Sequence, residues 1–230
     1  MTNTEMSLET NDGFAVIKMH GKGVYNPTTL ELVNSLLDQV EDNADAVALI
    51  FTGEDKNFSQ GLDLDYLLKL EHAQFIQFVE NTMVMVSRIL SLPIPVVAAI
   101  NGHAFGLGAM IALACDYRVM REDRGFICLP EIDLNMSFTP AMNALVVNKL
   151  SGQLRRDMML TGRRVSGQDA YAQGLVDACG AEDVLIGLAK EVVAPALNKD
   201  RKSMSQIKKD LNMPIILVVE TGAGVRGSAV

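Results

Sequence analysis

Two glycine-containing segments of this 230-residue chain could hold a negatively charged oxygen. The first is Asn57-Phe58-Ser59-Gln60-Gly61-Leu62-Asp63-Leu64. The second is Asn101-Gly102-His103-Ala104-Phe105-Gly106-Leu107-Gly108. Each follows an apolar run of strand length and leads into a stretch of helical character. Backbone N–H groups at a helix start lack intrahelical acceptors and sit at the positive end of the dipole, so they favour an anion. Two such donors converging on one point would form an oxyanion hole, which stabilises charge developing on a carbonyl oxygen. Taken alone, a glycine-rich turn between strand and helix is ordinary backbone geometry.

Among acidic side chains, Glu131 follows Pro130 and is flanked by Leu129, Ile132, Leu134 and Met136. On these residues alone it reads as a solvated glutamate at a strand end. Asp133 lies two residues on, and in an extended strand the two would point the same way, making Asp133 a possible second carboxylate. Asp63 suits a helix start. His20, His72 and His103 are spread out without ligand-like spacing, so no metal is expected. The three cysteines, Cys115, Cys128 and Cys179, form neither a disulfide framework nor a zinc site and fit a reducing compartment. Cys115 and Cys128 lie in apolar runs and read as core. No motif or residue order suggests a hydrolytic triad.

Several elements must position these groups. Phe14 to Met19 reads as a strand, and Thr28 to Val40 has helical apolar spacing. Ala46 to Phe51 is a continuous apolar run, as in a sheet buried on both faces. Residues 52 to 61 read as a loop. Helices are expected from Asp63 to Leu70 and from Ala73 to Leu90. Pro93 and Pro95 force an extended entry into a strand over Val96 to Ile100. A helix through Ala114 and short strands at Tyr117 to Met120 and Phe126 to Cys128 come next. The remainder reads mostly as helices, at Pro140–Leu150, Gln153–Leu160, Gly167–Gln173, Asp183–Ala194 and Arg201–Leu211. This is an α/β core over 1–190 with a helical region over 191–230.

Composition narrows the function. Lys plus Arg number 20 and Asp plus Glu 28, a net charge of −8 that argues against a general nucleic-acid binder. The 49% hydrophobic fraction excludes a disordered chain. Ile94 to Cys115 is uncharged over 22 residues, but Asn101-Gly102-His103 and two further glycines break it into a strand, a turn and a helix. The polar N-terminus, without signal-peptide character, and a C-terminus lacking a targeting signal point to a cytoplasmic protein without membrane partners.

In order and spacing, four motifs resemble the enoyl-CoA hydratase/isomerase (crotonase) superfamily. They are Phe58-Ser59-x-Gly61-x-Asp63-Leu64; Pro93-x-Pro95-Val96-Val97-Ala98-Ala99-Ile100-Asn101-Gly102; Cys115-Asp116-Tyr117-Arg118; and Leu160-Thr161-Gly162-Arg163 with Ala170 and Gly174-Leu175-Val176-Asp177. The resemblance covers roughly residues 14 to 190. It implies a crotonase-like spiral of strand-strand-helix turns with a helical C-terminal oligomerisation region, assembled as a homotrimer or hexamer. It further implies coenzyme A as part of the substrate rather than a separate cofactor.

By position, the resemblance assigns the oxyanion donors to the N–H groups of Leu62 and Leu107. The family usually has glycine at Leu107, and leucine resists a positive φ. Of the two glutamates used by hydratases, one aligns with Met110 and the other with Glu131. Met110 can neither hold water nor move a proton, which weakens a hydratase. The resemblance to the Δ3,Δ2-enoyl-CoA isomerases is closer, with Phe-Ser-x-Gly-Leu-Asp-Leu in the first loop, an apolar residue at 110 and a lone Glu131. That implies a single-glutamate proton shuttle, for which a partly apolar pocket should raise the Glu131 pKa. Lys22, Ser59, Gln60, Gly61 and Leu62 are placed beside the CoA portion. Lys56, Arg121, Arg124, Lys208 and Lys209 could also reach its phosphates, although such residues usually form a solvated face. Met83, Met85, Met110, Met136 and Met142 could lend an adaptable acyl pocket, though most such residues are core. Two alternatives stay open: another crotonase reaction using Glu131 with Asp133 or water, and a non-catalytic acyl-CoA-binding homologue. Residues 214–230, weakly helical, could form a subunit contact, a cover for the pocket or a tail.

Overall fold

The structure is a computed structural model that describes residues 5–222. Strand β1 (Met6–Asn11) and β2 (Phe14–Met19) form an antiparallel hairpin turned by Asp12 and Gly13, both with positive φ. Next come β3 (Val24–Tyr25), α1 (Pro27–Asp42), β4 (Ala48–Thr52), β5 (Asn57–Ser59), β6 (Gly61–Leu62), α2 (Leu64–Leu67) and α3 (His72–Ser91). Then follow β7 (Val96–Ile100), β8 (His103–Phe105), α4 (Leu107–Ala114), β9 (Tyr117–Arg121) and β10 (Ile127–Cys128). The chain continues through α5 (Pro140–Lys149), α6 (Gly152–Thr161), α7 (Gly167–Ala172), β11 (Ala178–Gly180), α8 (Leu185–Val193), α9 (Arg201–Leu211) and α10 (Met213–Glu220).

The main sheet has the order β1-β2-β4-β7-β9-β11 and is parallel beyond its first pair. Every residue of β4 and β7 is buried, as expected of central strands covered on both faces. A smaller parallel sheet, β10-β8-β5, and the β3–β6 pair branch off it. The turns β4-β5-α3 and β7-β8-α4 repeat strand, short strand and helix, which is the expected spiral. The uncharged run 94–115 becomes β7, β8 and α4, and all eight residues of α4 are buried. No helix of the described residues is long and apolar enough to cross a membrane.

Side chains hold the junctions. Asn101 accepts from Gly53 N–H at 2.8 Å and donates to the carbonyls of Asp55 and Asn57, tying the two glycine loops at their roots. Asp116 accepts from Val96 N–H and from Lys208 Nζ, both through Oδ2, at 2.8 and 2.6 Å. Lys208 is almost fully buried and also donates to Ile94 O, so α9 is bolted to the start of β7. Asn212 donates to Leu90 O at 3.0 Å and fixes the corner between α9 and α10.

The structure differs from expectation in the short elements. The polar segment 6–11 is an edge strand whose even-numbered Met6 and Leu8 pack inward, although Ser, Glu and Thr dominate its composition. The loops at 52–61 and 102–108 each contain a short strand. Residues 130–135, expected as a strand end, form turns in which Asp133 N–H and Leu134 N–H both donate to Pro130 O. Residues 223–230, the last part of the 214–230 segment, lie outside the described part.

Candidate active site

The two glycine loops meet at Gly61. Its φ is +84°, and a Cβ there would lie 2.6 Å from Phe105 O and 3.0 Å from Leu107 N. Both the conformation and the close approach demand glycine. The first loop therefore rests directly on the start of α4. Asp63 N–H donates to Tyr25 O at 2.9 Å, and because amide directions alternate along an extended chain, the Leu62 N–H turns away from β3. Leu107 is the first residue of α4, whose first intrahelical bond runs from Met110 N–H to Gly106 O. Its N–H thus has no acceptor within the helix. The positive φ of this loop, +52°, falls on Gly106 and not on Leu107. A leucine at 107 is accommodated because the preceding glycine carries the left-handed turn.

Ser59 braces this arrangement. It is 1% exposed, donates through Oγ to Gly23 O at 2.6 Å and accepts from Gly61 N–H at 3.1 Å. Its side chain is therefore committed within the protein. Gln60 N–H donates to Lys22 O at 3.2 Å, which sets Lys22, Ser59, Gln60, Gly61 and Leu62 side by side, with the Lys22 side chain exposed. Ser59→Ala loses both hydrogen bonds and should cost about 2 kcal/mol of stability, measured by denaturant unfolding.

Glu131 is held by the turn after Pro130, and its carbonyl accepts from Met136 N–H at 2.8 Å. It is 7% exposed, and its Oε2 is buried without a hydrogen-bond partner. Its Oε1 lies 3.6 Å from where a Gly106 Cβ would be, so the carboxylate abuts the second loop. Burial disfavours the charged form and raises its pKa to about 7, slightly opposed by its own N–H. An acid whose pKa is raised by folding destabilises the folded state as pH climbs from its unfolded value of 4.5 through 7. Glu131→Gln removes that penalty. It should be more stable than wild type by about 3 kcal/mol near pH 8, and the gap should shrink below about 1 kcal/mol near pH 5, by chemical denaturation at both.

Glu131 faces a cavity of about 630 Å³. Leu62, Phe105, Gly106 and Leu107 form its wall near the loops, while Phe75, Val79, Met83, Phe138, Met142 and Val218 carry it further. Asp133 does not share it. Its carboxylate lies against Gly162, where a Cβ would be 2.5 Å from Oδ2, and the residue is exposed. The expectation of Glu131 and Asp133 pointing together fails because this segment is a turn. Met110 is fully buried in the core and is not on the cavity wall, and neither is Met85; Met83, Met136 and Met142 are. Asp63 caps α2 by accepting from Tyr66 N–H and from Asn26 Nδ2, a structural role. His103 packs at a tilt against Phe105 and Phe126, behind Phe105, and is not itself on the wall. Among the described residues no group of His, Cys, Asp and Glu could hold a metal ion.

Sequence reasoning missed Glu80 and His72, which α3 places on the wall; of the roles open to 214–230, a cover for the pocket fits α10, which lines it through Val218 and Val219. The sequence shows a helix over Ala73 to Leu90, but nothing local says that the same helix also lines the site with a carboxylate.

The comparisons bear on the family and the fold. Residues 9–223 match the model of the enoyl-CoA hydratase/isomerase family. The chain is similar to enoyl-CoA delta isomerase 3 of Arabidopsis thaliana, at 37% identity over 74% of this chain and 73% of the relative. It is also similar to the peroxisomal enoyl-CoA delta isomerase 2 of the same plant, at 34% identity over 75% of each. Human mitochondrial Δ3-Δ2-enoyl-CoA isomerase shares the fold, with a TM-score of 0.88 over 96% of this chain and 88% of that one at 21% identity. A Mycobacterium tuberculosis protein described both as a probable enoyl-CoA hydratase and as an enoyl-CoA isomerase superposes nearly as well, with a TM-score of 0.85 at 25% identity over 95% of this chain and 94% of that one. The fold therefore does not separate isomerase from hydratase. With its spiral of strand-strand-helix turns and the two loops converging beside Glu131, the chain belongs to the enoyl-CoA hydratase/isomerase family.

Proposed function

We propose that the protein shifts a double bond from C3 to C2 of an enoyl-CoA thioester. The observation that carries this is Glu131, a carboxylate buried beside the second glycine loop with one oxygen unpartnered, while Met110 and Asp133 are both off the cavity wall. The thioester oxygen would accept from the N–H groups of Leu62 and Leu107. Glu131 takes a proton from C2, and the electron pair moves onto the thioester oxygen as a dienolate held by the two donors. The same carboxyl then returns the proton to C4, and the double bond settles at C2, conjugated with the thioester. Atoms and charge balance without any cofactor.

Support for the isomerase comes also from the similarity to plant enoyl-CoA delta isomerases. Lys22, Ser59, Gln60, Gly61 and Leu62 are proposed to border the CoA portion, and self-assembly into a trimer or hexamer and a cytoplasmic location belong to the same proposal. Glu80 gives a hydratase its one structural argument, because it is a second carboxylate on the cavity wall. Ultraviolet absorbance of the conjugated 2-enoyl thioester distinguishes the readings. A rise on adding protein to a 3-enoyl-CoA is expected. No rise, with loss of absorbance from a 2-enoyl-CoA, would replace isomerisation by hydration. If neither signal moves, the non-catalytic acyl-CoA-binding reading becomes the one to test.

A further inference from the structure

Helix α10 occupies an unusual place. Its first residues are anchored: Asn212 at the preceding corner is 2% exposed and donates to Leu90 O and Lys208 O, and Ile215 is 1% exposed within the core. Its later residues do something different. Val218 and Val219 are only partly buried, pack on the core and line the cavity that holds Glu131, and Gly222 just beyond the helix lines it as well. Leu217, between these positions and on another face of the helix, is 50% exposed. The chain's own C-terminal helix thus contributes two β-branched, stiff side chains to an otherwise reaction-bearing cavity. Phe75, Val79 and Met83 of α3 and Met142 of α5 line the same cavity with apolar side chains, and α10 packs against both of those helices.

We infer that Val218 and Val219 are the end wall of the acyl site and set the longest acyl chain the protein accepts in full. This rests on the reading that the cavity holds an acyl-CoA. The physical basis is simple. Each methylene that enters an apolar, pre-formed cavity tightens binding by about fourfold. A methylene that would have to enter a packed valine wall gains nothing, because cores resist overpacking. A cavity with its wall on a helix fixed at the near end by Asn212 and Ile215 therefore gives a break in the dependence of affinity on chain length.

Titration calorimetry with saturated acyl-CoAs, from butanoyl to hexadecanoyl, reads that break without requiring turnover. In wild type the dissociation constant should fall with each added pair of carbons and then level off. Val219→Trp should move the levelling point to a shorter chain, and Val218→Ala with Val219→Ala to a longer one. The ratio of decanoyl to hexanoyl affinity should drop at least tenfold in the tryptophan variant. A merely structural role would weaken all lengths alike and leave the break where it was, which would overturn the inference. So would affinity that rises steadily to hexadecanoyl in wild type. If Val219→Trp fails to fold, Val219→Met gives the same direction with a smaller step. A clear break in a protein that turns over no 3-enoyl-CoA would retire the isomerase and leave the end wall standing.

Discussion

Under the proposed reaction, Glu131→Gln is expected to lower kcat for a 3-enoyl-CoA by about ten-thousandfold, at the upper end of what a positioned acid–base group contributes. The upper end applies because one carboxyl performs both proton transfers in the proposed reaction. Glutamine fills the same space, and no protein group donates to the buried Oε2 in the native site, so the substitution breaks no hydrogen bond of that oxygen. The loss should therefore fall on kcat, with KM within a few-fold, in steady-state assays. Unfolding in parallel should show the variant to be at least as stable as wild type at neutral pH, which excludes collapse as the cause. Retention of more than a tenth of wild-type kcat would place the base elsewhere, and Glu80 would be the first residue to examine.

Gly61→Ala should lower kcat by roughly a thousandfold, as loss of an oxyanion donor does. Two effects coincide at this position. An L residue is strained at φ +84°, and its Cβ would press on Phe105 O and Leu107 N, at 2.6 and 3.0 Å. These are backbone atoms and cannot rotate aside, so the two loops must part and the N–H groups of Leu62 and Leu107 with them. Gly21→Ala separates strain from contact. Gly21 also has a positive φ, +63°, but nothing lies within 4 Å of its would-be Cβ. It should cost about 1 kcal/mol of stability while leaving kcat within twofold of wild type. Equal loss of kcat in both variants would mean that backbone strain, and not the meeting of the loops, is responsible.

The main elements could be read from sequence where burial dictates pattern. The apolar run Ala46 to Phe51, the β-branched Val96 to Ile100 and the helical spacing from Ala73 to Leu90 each correspond to an element within a few residues. What could not be read depends on contacts made far along the chain. Strand β1 is polar because one face is open to solvent, and its pairing with β2 decides its structure. The two-residue strands β3 and β6 exist only through each other. Glu131 itself is ambiguous locally, and its burial reflects contacts beyond its sequence neighbours, the second loop at Gly106 among them. Asp133 was misplaced for the opposite reason. A strand was expected, and bonds back to Pro130 made a turn that sends its carboxylate to Gly162. Leu107 shows how a departure from a motif is absorbed, since Gly106 before it takes the positive φ.

In the proposed reaction Glu131 must be ionised before it can accept the C2 proton, and burial raises its pKa to about 7. The pH dependence of kcat/KM for a 3-enoyl-CoA reports that ionisation in the free enzyme. Below the pKa the base is protonated and inactive, so kcat/KM should fall about tenfold per pH unit on the acid side, with its midpoint near 7, and level off above it. A profile that stays flat down to about pH 5, near the ordinary range of a solvated carboxylate, would contradict the assignment of Glu131 as the buried base.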